Sequence, residues 1–351
     1  MRWSIFRKRL ILMVVILASL LVFTEMAIRI SAKSMPPWMA NDLLRPYGTR
    51  NGGMYFLDPV TGLNFLYPND ERDVVFNGYR WHHSTDHRGT RNPPDTGSRV
   101  LLLGDSFIYG HGVEENQTVA HYLREEHGWE VYNLARQGDG LGRESVMLRT
   151  FIDELKPEKV VLFPFINDFN DVVHLPEDLQ LDKIDYKALR ERLNDPDVRV
   201  HEWDFEKRFY TYRFLMILNQ RRKFNQRDPA MHPTVQAVTD SDQFAENRRR
   251  YTEIFDSMLE VTRSRGAELQ VVYLQAPNSD QFWIDSQERF EEFLQKLCAE
   301  REVSYLSAQE MLKDPQNSLP GDGHLSPAGH RALAEVVARL DSSSDVHTTS
   351  P

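Results

Sequence analysis

Four stretches of this sequence hold residue types that can do chemistry together. Gly104-Asp105-Ser106-Phe107 places a hydroxyl directly after the apolar run Val100 to Leu103. Gly138 stands in Asn133-Leu134-Ala135-Arg136-Gln137-Gly138-Asp139-Gly140, Asn167-Asp168 closes a third apolar run, and Asp322-Gly323-His324 lies near the C-terminus. A serine hydroxyl becomes a useful nucleophile only when a base removes its proton. His324 is the candidate base. Asp322, two residues earlier, can accept from the imidazole Nδ1–H, hold the tautomer and stabilise the imidazolium. Three donors are available to a developing oxyanion: the Ser106 N–H, the Gly138 N–H and the Asn167 side-chain amide. An ionised carboxylate cannot donate, so Asp168 is expected to fix its loop instead.

Each piece has an ordinary reading. Gly-Asp-Ser is also a turn and helix cap, and it is not the Gly-x-Ser-x-Gly elbow because position 108 is Ile. The Gly138 stretch also reads as a loop that simply needs positive φ, and Asn167-Asp168 is also a plain turn. Asp322-x-His324 also reads as a pair of metal ligands, with His330 as a third. His330, however, falls on the second turn of the following helix, and no cysteine or further acidic cluster accompanies it. The expectation is therefore no metal and no cofactor. Cys298 is the single cysteine and falls on an apolar helical face, as a small buried hydrophobe.

The elements that must position these residues follow from periodicity. Val100 to Leu103, Glu130 to Leu134, Lys159 to Ile166, Leu269 to Leu274 and Val303 to Leu306 read as buried strands. Thr118 to His127 and Leu141 to Leu155 read as helices. Tyr251, Ile254, Phe255, Met258 and Leu259 keep helical spacing up to Gly266, and Phe290, Phe293, Leu294, Leu297 and Cys298 repeat it. Ser326 caps a last helix, with Pro327 at its first position and Leu333, Val336, Val337 and Leu340 facing inward. Strands alternating with such helices imply a parallel sheet covered on both faces, with ligands at the carboxyl ends of the strands.

The chain has 351 residues, 41% hydrophobic and 27% charged, with a net charge of −10. That composition is globular, and the acidic balance excludes a binder of nucleic-acid backbone. Residues 1–30 read as an N-terminal transmembrane signal-anchor, with a cleaved signal peptide as the alternative. Arg2, Arg7, Lys8 and Arg9 precede Leu10 to Phe23, and the apolar character continues to Ile30, with Glu25 and Arg29 able to pair near the outer end. The basic start places the remainder on the extracytoplasmic side, anchored to the membrane. Residues 31–97 form an extended lead-in of turns and short strands such as Val74-Val75-Phe76. Residues 98–341 form the main domain. Residues 169–245 interrupt it as an insertion or cap, within which Phe205 to Lys223 is aromatic and basic. The favoured reading of that stretch is an extra helix packed on the core; a cap and a membrane-touching face are the alternatives. The tail 342–351 is expected to be disordered.

Together the four stretches resemble the SGNH, or GDSL, hydrolase family. Gly104-Asp105-Ser106 resembles its nucleophile block, Gly138 its second-block glycine, Asn167 its third-block asparagine, and Asp322 with His324 its last block. Asp58-Pro59-x-x-Gly62 and Asp86-His87-Arg88-Gly89 are similar to the approach segment of membrane-anchored bacterial members. Two positions differ from the family pattern: Phe165 stands where a glycine is frequent, and one residue rather than two separates Asp322 from His324. The resemblance implies a three-layer α/β/α, flavodoxin-like domain with a five-stranded parallel sheet over about Arg99 to Leu340. It also implies ester hydrolysis through an acyl-enzyme on Ser106. The expected substrate is a short-chain or carbohydrate O-acyl ester, on a small molecule, glycan or lipid. The competing functions are an O-acyltransferase of the same fold acting on a surface polysaccharide, and a catalytically silent binding protein. A nucleotide-binding domain is disfavoured because neither Gly-x-Gly-x-x-Gly nor a P-loop is present.

Overall fold

Five apolar runs become one sheet in the computed structural model, which describes residues 2–36, 39, 43, 54–76, 79–171, 180–195, 209–225, 233–275 and 280–344. The chain enters through α1 (Arg2–Ser31) and two antiparallel hairpins, β1 (Tyr55–Leu57) with β2 (Asn64–Leu66) and β3 (Glu71–Phe76) with β4 (Tyr79–Ser84). Then follow β5 (Val100–Gly104), the short α2 (Ser106–Tyr109), α3 (Val119–His127), β6 (Val131–Asn133), α4 (Leu141–Leu155), β7 (Lys159–Phe163) and α5 (Ile166–Asp171). After α6 (Tyr186–Leu193), α7 (Tyr210–Asn225) and α8 (Pro233–Thr239) come α9 (Ser241–Ser264), β8 (Glu268–Tyr273), α10 (Gln281–Glu300), β9 (Ser304–Ser307), α11 (Gln309–Leu312) and α12 (Pro327–Ser344).

The sheet is wholly parallel, in the order β6-β5-β7-β8-β9. This flavodoxin-like order reverses direction beside β5, and a ligand crevice opens at such a switch point. Side-chain alternation divides the core into two layers. Leu101, Leu103, Val160, Leu162, Val271 and Tyr273 pack against α4, α9 and α10. Leu102, Val161, Phe163 and Val272 point the other way, against Val119 and Leu123 of α3 and Leu333 and Val337 of α12. Because both faces are covered, the strands read as continuous apolar runs rather than alternating ones.

Cys298 is buried on the inner face of α10, and burial pushes its thiol up to about 12. The edge of the sheet is closed locally. The Asn92 side chain accepts from the Asn133 N–H (2.8 Å) and donates to its carbonyl (2.9 Å), taking the place of a missing neighbour strand.

Three differences from the sequence reading have physical causes. Helix α9 starts at Ser241, ten residues before the periodic apolar stretch, because Asp240 caps it through the Asp242 and Gln243 N–H groups. The last helix runs through Ser344, past the expected start of the tail, while 345–351 lie outside the described residues. The aromatic, basic stretch forms α7, but its buried residues do not join the sheet core. Ile217, with Tyr210 and Phe214 beside it, shares a separate cluster with Ile28 and Ala32 of the N-terminal helical segment. Phe205 and, in the acidic segment before it, residues 172–179 and 196–204 lie outside the described residues.

Phe6–Ser34 is long and apolar enough to cross a membrane. Arg29 Nε donates to Glu25 (2.7 Å) across one turn of it.

Candidate functional site

Strand β5 ends where the backbone must turn at once into α2. A side chain at Gly104 would place its Cβ 2.7 Å from Ile108 Cγ1, so close approach demands glycine there. Asp105 caps α2 by accepting from the Phe107 N–H (2.9 Å), which sets Ser106 at the first helical position. Gly104 stands in register with Phe163 at the end of β7, so the turn into α5, whose second residue is Asn167, begins beside Ser106's strand end.

His324 arrives from the opposite end of the chain on a tight loop. Ser318 bridges Leu325, and the Leu319 N–H donates to the His324 carbonyl (2.7 Å). Ser326 then caps α12 through the Gly329 N–H (3.1 Å). The loop sets His324 Nε2 2.8 Å from Ser106 Oγ, while His324 Nδ1 hydrogen-bonds Asp322 Oδ1. The Asp322 side chain is wholly shielded from water; that of His324 is 21% exposed. Phe107 flanks the imidazole at 4.9 Å between ring centroids. The three residues thus form one relay from hydroxyl through imidazole to a buried carboxylate, the order needed to move a proton off Ser106.

The structure also places residues beside this relay that the sequence reading did not single out. His111, buried, stacks on His324 with ring centroids 4.2 Å apart, and its Nε2 is 3.7 Å from Asp322 Oδ2. Its own loop is held by Arg91, a fully buried guanidinium that donates to the carbonyls of Tyr109 (3.2 Å), Gly110 (2.7 Å), Val113 (2.8 Å) and His82 (3.1 Å). No periodicity marks either residue. The available signal was a histidine five residues after the candidate nucleophile. Tyr79 donates to the Pro320 carbonyl (2.6 Å) beside Asp322, and burial together with the Asp322 charge pushes its phenol up.

The second-strand loop is locked from beneath. Arg136 and Asp139 form a buried ion pair (2.7 Å), Arg136 also donates to the Asn64 carbonyl (2.7 Å), and the Tyr55 hydroxyl donates to the Gln137 carbonyl (3.0 Å). Burial pushes the Asp139 carboxyl up, against the pull of Arg136. Gly138 adopts φ +73°, a region that favours glycine, and a Cβ there would meet no atom within 4 Å. At the third strand, Asp168 accepts from the Phe165 N–H (2.8 Å), which fixes the loop. Asn167 Oδ1 is buried with no partner among the described residues. Phe165, standing where the family often has glycine, packs on Phe107 at 4.7 Å.

His330 does not join Asp322 and His324. It is fully buried on α12, its Nδ1 accepts from the Val119 N–H (3.2 Å), and burial lowers it to about 3. His111, Asp322 and His324 do offer ligand atoms within 4.8 Å of one another. Both imidazole nitrogens of His324, however, are engaged with Asp322 and Ser106.

The approach segments are folded by their own carboxylates. Asp86 accepts from the N–H groups of Arg88 (2.9 Å) and Thr90 (3.0 Å). Asp58 accepts from the Thr61 N–H (2.9 Å) and from Arg192 (2.8 Å).

The model of the GDSL-like lipase/acylhydrolase family matches residues 102–332, well over half of the chain. No curated protein matches. Among solved structures, the chain is similar to the psychrotrophic esterase EstA from Pseudoalteromonas sp. (9% identity, TM-score 0.42, covering 72% of this chain and 100% of that one). It is also similar to the acetylxylan esterase Axe2 from Geobacillus stearothermophilus (13%, 0.39, 70% and 94%). A third is a GDSL-like lipase from Bacteroides thetaiotaomicron (10%, 0.40, 72% and 91%). The chain belongs to the GDSL-like lipase/acylhydrolase family, the SGNH hydrolases, and is a hydrolase acting on ester bonds.

Proposed function

We propose that the protein is a membrane-anchored serine esterase that removes short or carbohydrate-borne O-acyl groups through an acyl-enzyme on Ser106. The observation that carries this reading is the relay from Ser106 Oγ to His324 Nε2 and from Nδ1 to the buried Asp322. Ser106 Oγ attacks the acyl carbon while His324 takes its proton. Asp322 keeps the imidazole in the tautomer whose Nε2 accepts, and stabilises the imidazolium. The tetrahedral oxyanion is held by the N–H groups of Ser106 and Gly138 and by the Asn167 amide. His324 returns the proton to the leaving alcohol, then activates water to release the acid and regenerate Ser106.

Helix α1 is the anchor. Its basic start remains cytoplasmic, and the catalytic domain stands on the extracytoplasmic side.

The test is hydrolysis of p-nitrophenyl acetate, butyrate and octanoate by the detergent-solubilised chain and its Ser106→Ala variant, with phosphonate labelling in parallel. Activity lost in a folded Ser106→Ala supports the reading. Absence of both turnover and labelling refutes it. Labelling of Ser106 without turnover points to a transferase that lacks its acceptor.

A further inference from the structure

The first half of α7, Tyr210 to Leu218, is apolar around most of its circumference, with Arg213 as its one charge. Tyr210, Phe214 and Ile217 turn toward α1 and its extension, in the cluster formed with Ile28 and Ala32. Tyr212, Leu215, Met216 and Leu218 lie on the other side, and Leu215 is 59% exposed. A helix apolar on both sides is buried in a core or meets lipid, and on this outer side Tyr212, Met216 and Leu218 are exposed as well.

The position of α7 along α1 indicates which. The Tyr210 and Thr211 N–H groups donate to the Glu25 carboxylate (3.0 and 2.9 Å), as does the Thr211 hydroxyl (2.9 Å). Arg29 donates to the same carboxylate and lies over the Tyr210 ring, 4.5 Å from its centroid. From Leu10 to Glu25 is about 22 Å of helix at 1.5 Å per residue. The hydrocarbon layer is about 30 Å deep. Counted from the end of the basic start, Glu25 therefore lies inside the outer boundary of that layer. A helix N-terminus at that depth finds no water for its free N–H groups. Glu25 supplies the acceptor, which accounts for a carboxylate inside an otherwise apolar span.

We propose that α7 is a second membrane contact, with Tyr212, Leu215, Met216 and Leu218 resting in the lipid of the outer leaflet beside the anchor. The exposed Arg222 in its last turns then falls where lipid phosphates lie. The helix thereby gives the chain a second attachment to the bilayer beside the anchor. The inference rests on the reading that α1 crosses the membrane.

Full-length protein carrying Leu215→Cys, Leu218→Cys, Leu17→Cys or Glu260→Cys is labelled with an environment-sensitive fluorophore. It is then reconstituted in phosphatidylcholine vesicles, with or without lipid bearing a nitroxide on its acyl chains. The buried Cys298 leaves labelling to the introduced site, and circular dichroism checks folding. Labels at 215 and 218 are expected to lose at least half their emission to nitroxide lipid and to resist aqueous iodide; the label at 260 behaves oppositely. Iodide quenching at both 215 and 218, with 17 still quenched by lipid, overturns the proposal and leaves the anchor standing. Failure of lipid to quench at 17 overturns both. Shielding at 215 and 218 from lipid and iodide alike, with self-quenching on raising protein density, assigns the face to a second copy and also overturns it.

Discussion

Asp322→Asn keeps the side-chain shape and removes the charge. In the proposed reaction the imidazole becomes an imidazolium as Ser106 adds to the acyl carbon, and the Asp322 carboxylate is its buried counter-ion. Its Oδ1 accepts from both Nδ1 and the backbone N–H of His324. Two unit charges with centres about 4 Å apart interact by about 4 kcal/mol at an effective dielectric near 20. His324 is 21% exposed. Solvent screening therefore brings the estimate to about 2–4 kcal/mol. At 1.36 kcal/mol per decade this is a loss of ~30- to ~1,000-fold in kcat. KM should hardly move, because the charge pair exists only in the transition state. Phosphonate labelling of Ser106 should slow in parallel, since it passes through the same addition. The assay is steady-state hydrolysis of p-nitrophenyl acetate beside the labelling rate. A kcat within about fivefold of the parent would refute the assignment of Asp322 as the partner of the imidazolium.

Asn167→Ala should lower kcat by about 10²–10³-fold through loss of an oxyanion donor. Its unfolding midpoint should stay near the parent's, because Asn167 Oδ1 has no partner among the described residues to lose. Arg91→Met should destabilise by about 3–5 kcal/mol in urea unfolding, since four buried carbonyls lose their shared donor. His330 stays neutral in the fold down to about 3, whereas an unfolded histidine takes up its proton near 6.5. Between those values the unfolded chain binds more protons, so stability falls as pH drops below about 6.5, by up to ~1.4 kcal/mol per pH unit. Urea midpoints from pH 7 to 4 should show a shallower fall in His330→Asn; equal slopes would contradict it.

The legible part of this protein was periodic. Helix Leu141–Leu155 has the bounds its apolar spacing indicated, and the five strands differ from the sequence reading only at their ends. Spacing reveals an element because burial on one face constrains every third or fourth residue, or every residue of a doubly covered strand. The residues that brace the site carry no such period. Arg91 is a buried cation whose four acceptors are backbone carbonyls, which any sequence supplies. His111 meets His324 only because two loops more than 200 residues apart close on each other. The same holds for α7: its composition marked it as apolar and basic, but not whether it would seek the sheet core or α1.

By itself, the sequence determined the chemical inventory: a serine, a histidine, an aspartate and candidate oxyanion donors, each placed by local signals at a strand end or a helix start. It also determined the apolar N-terminal helix and the alternation that makes a parallel sheet. Only the tertiary structure decided that Ser106 and His324 lie 2.8 Å apart, that Asp322 is the buried partner and His330 is not, and that Glu25 receives the end of α7. Local signals come from neighbours along the chain, where spacing and backbone preference act. A relay between residues 106 and 324 depends on how both faces of the sheet pack, and many sequences share the same local pattern without that closure.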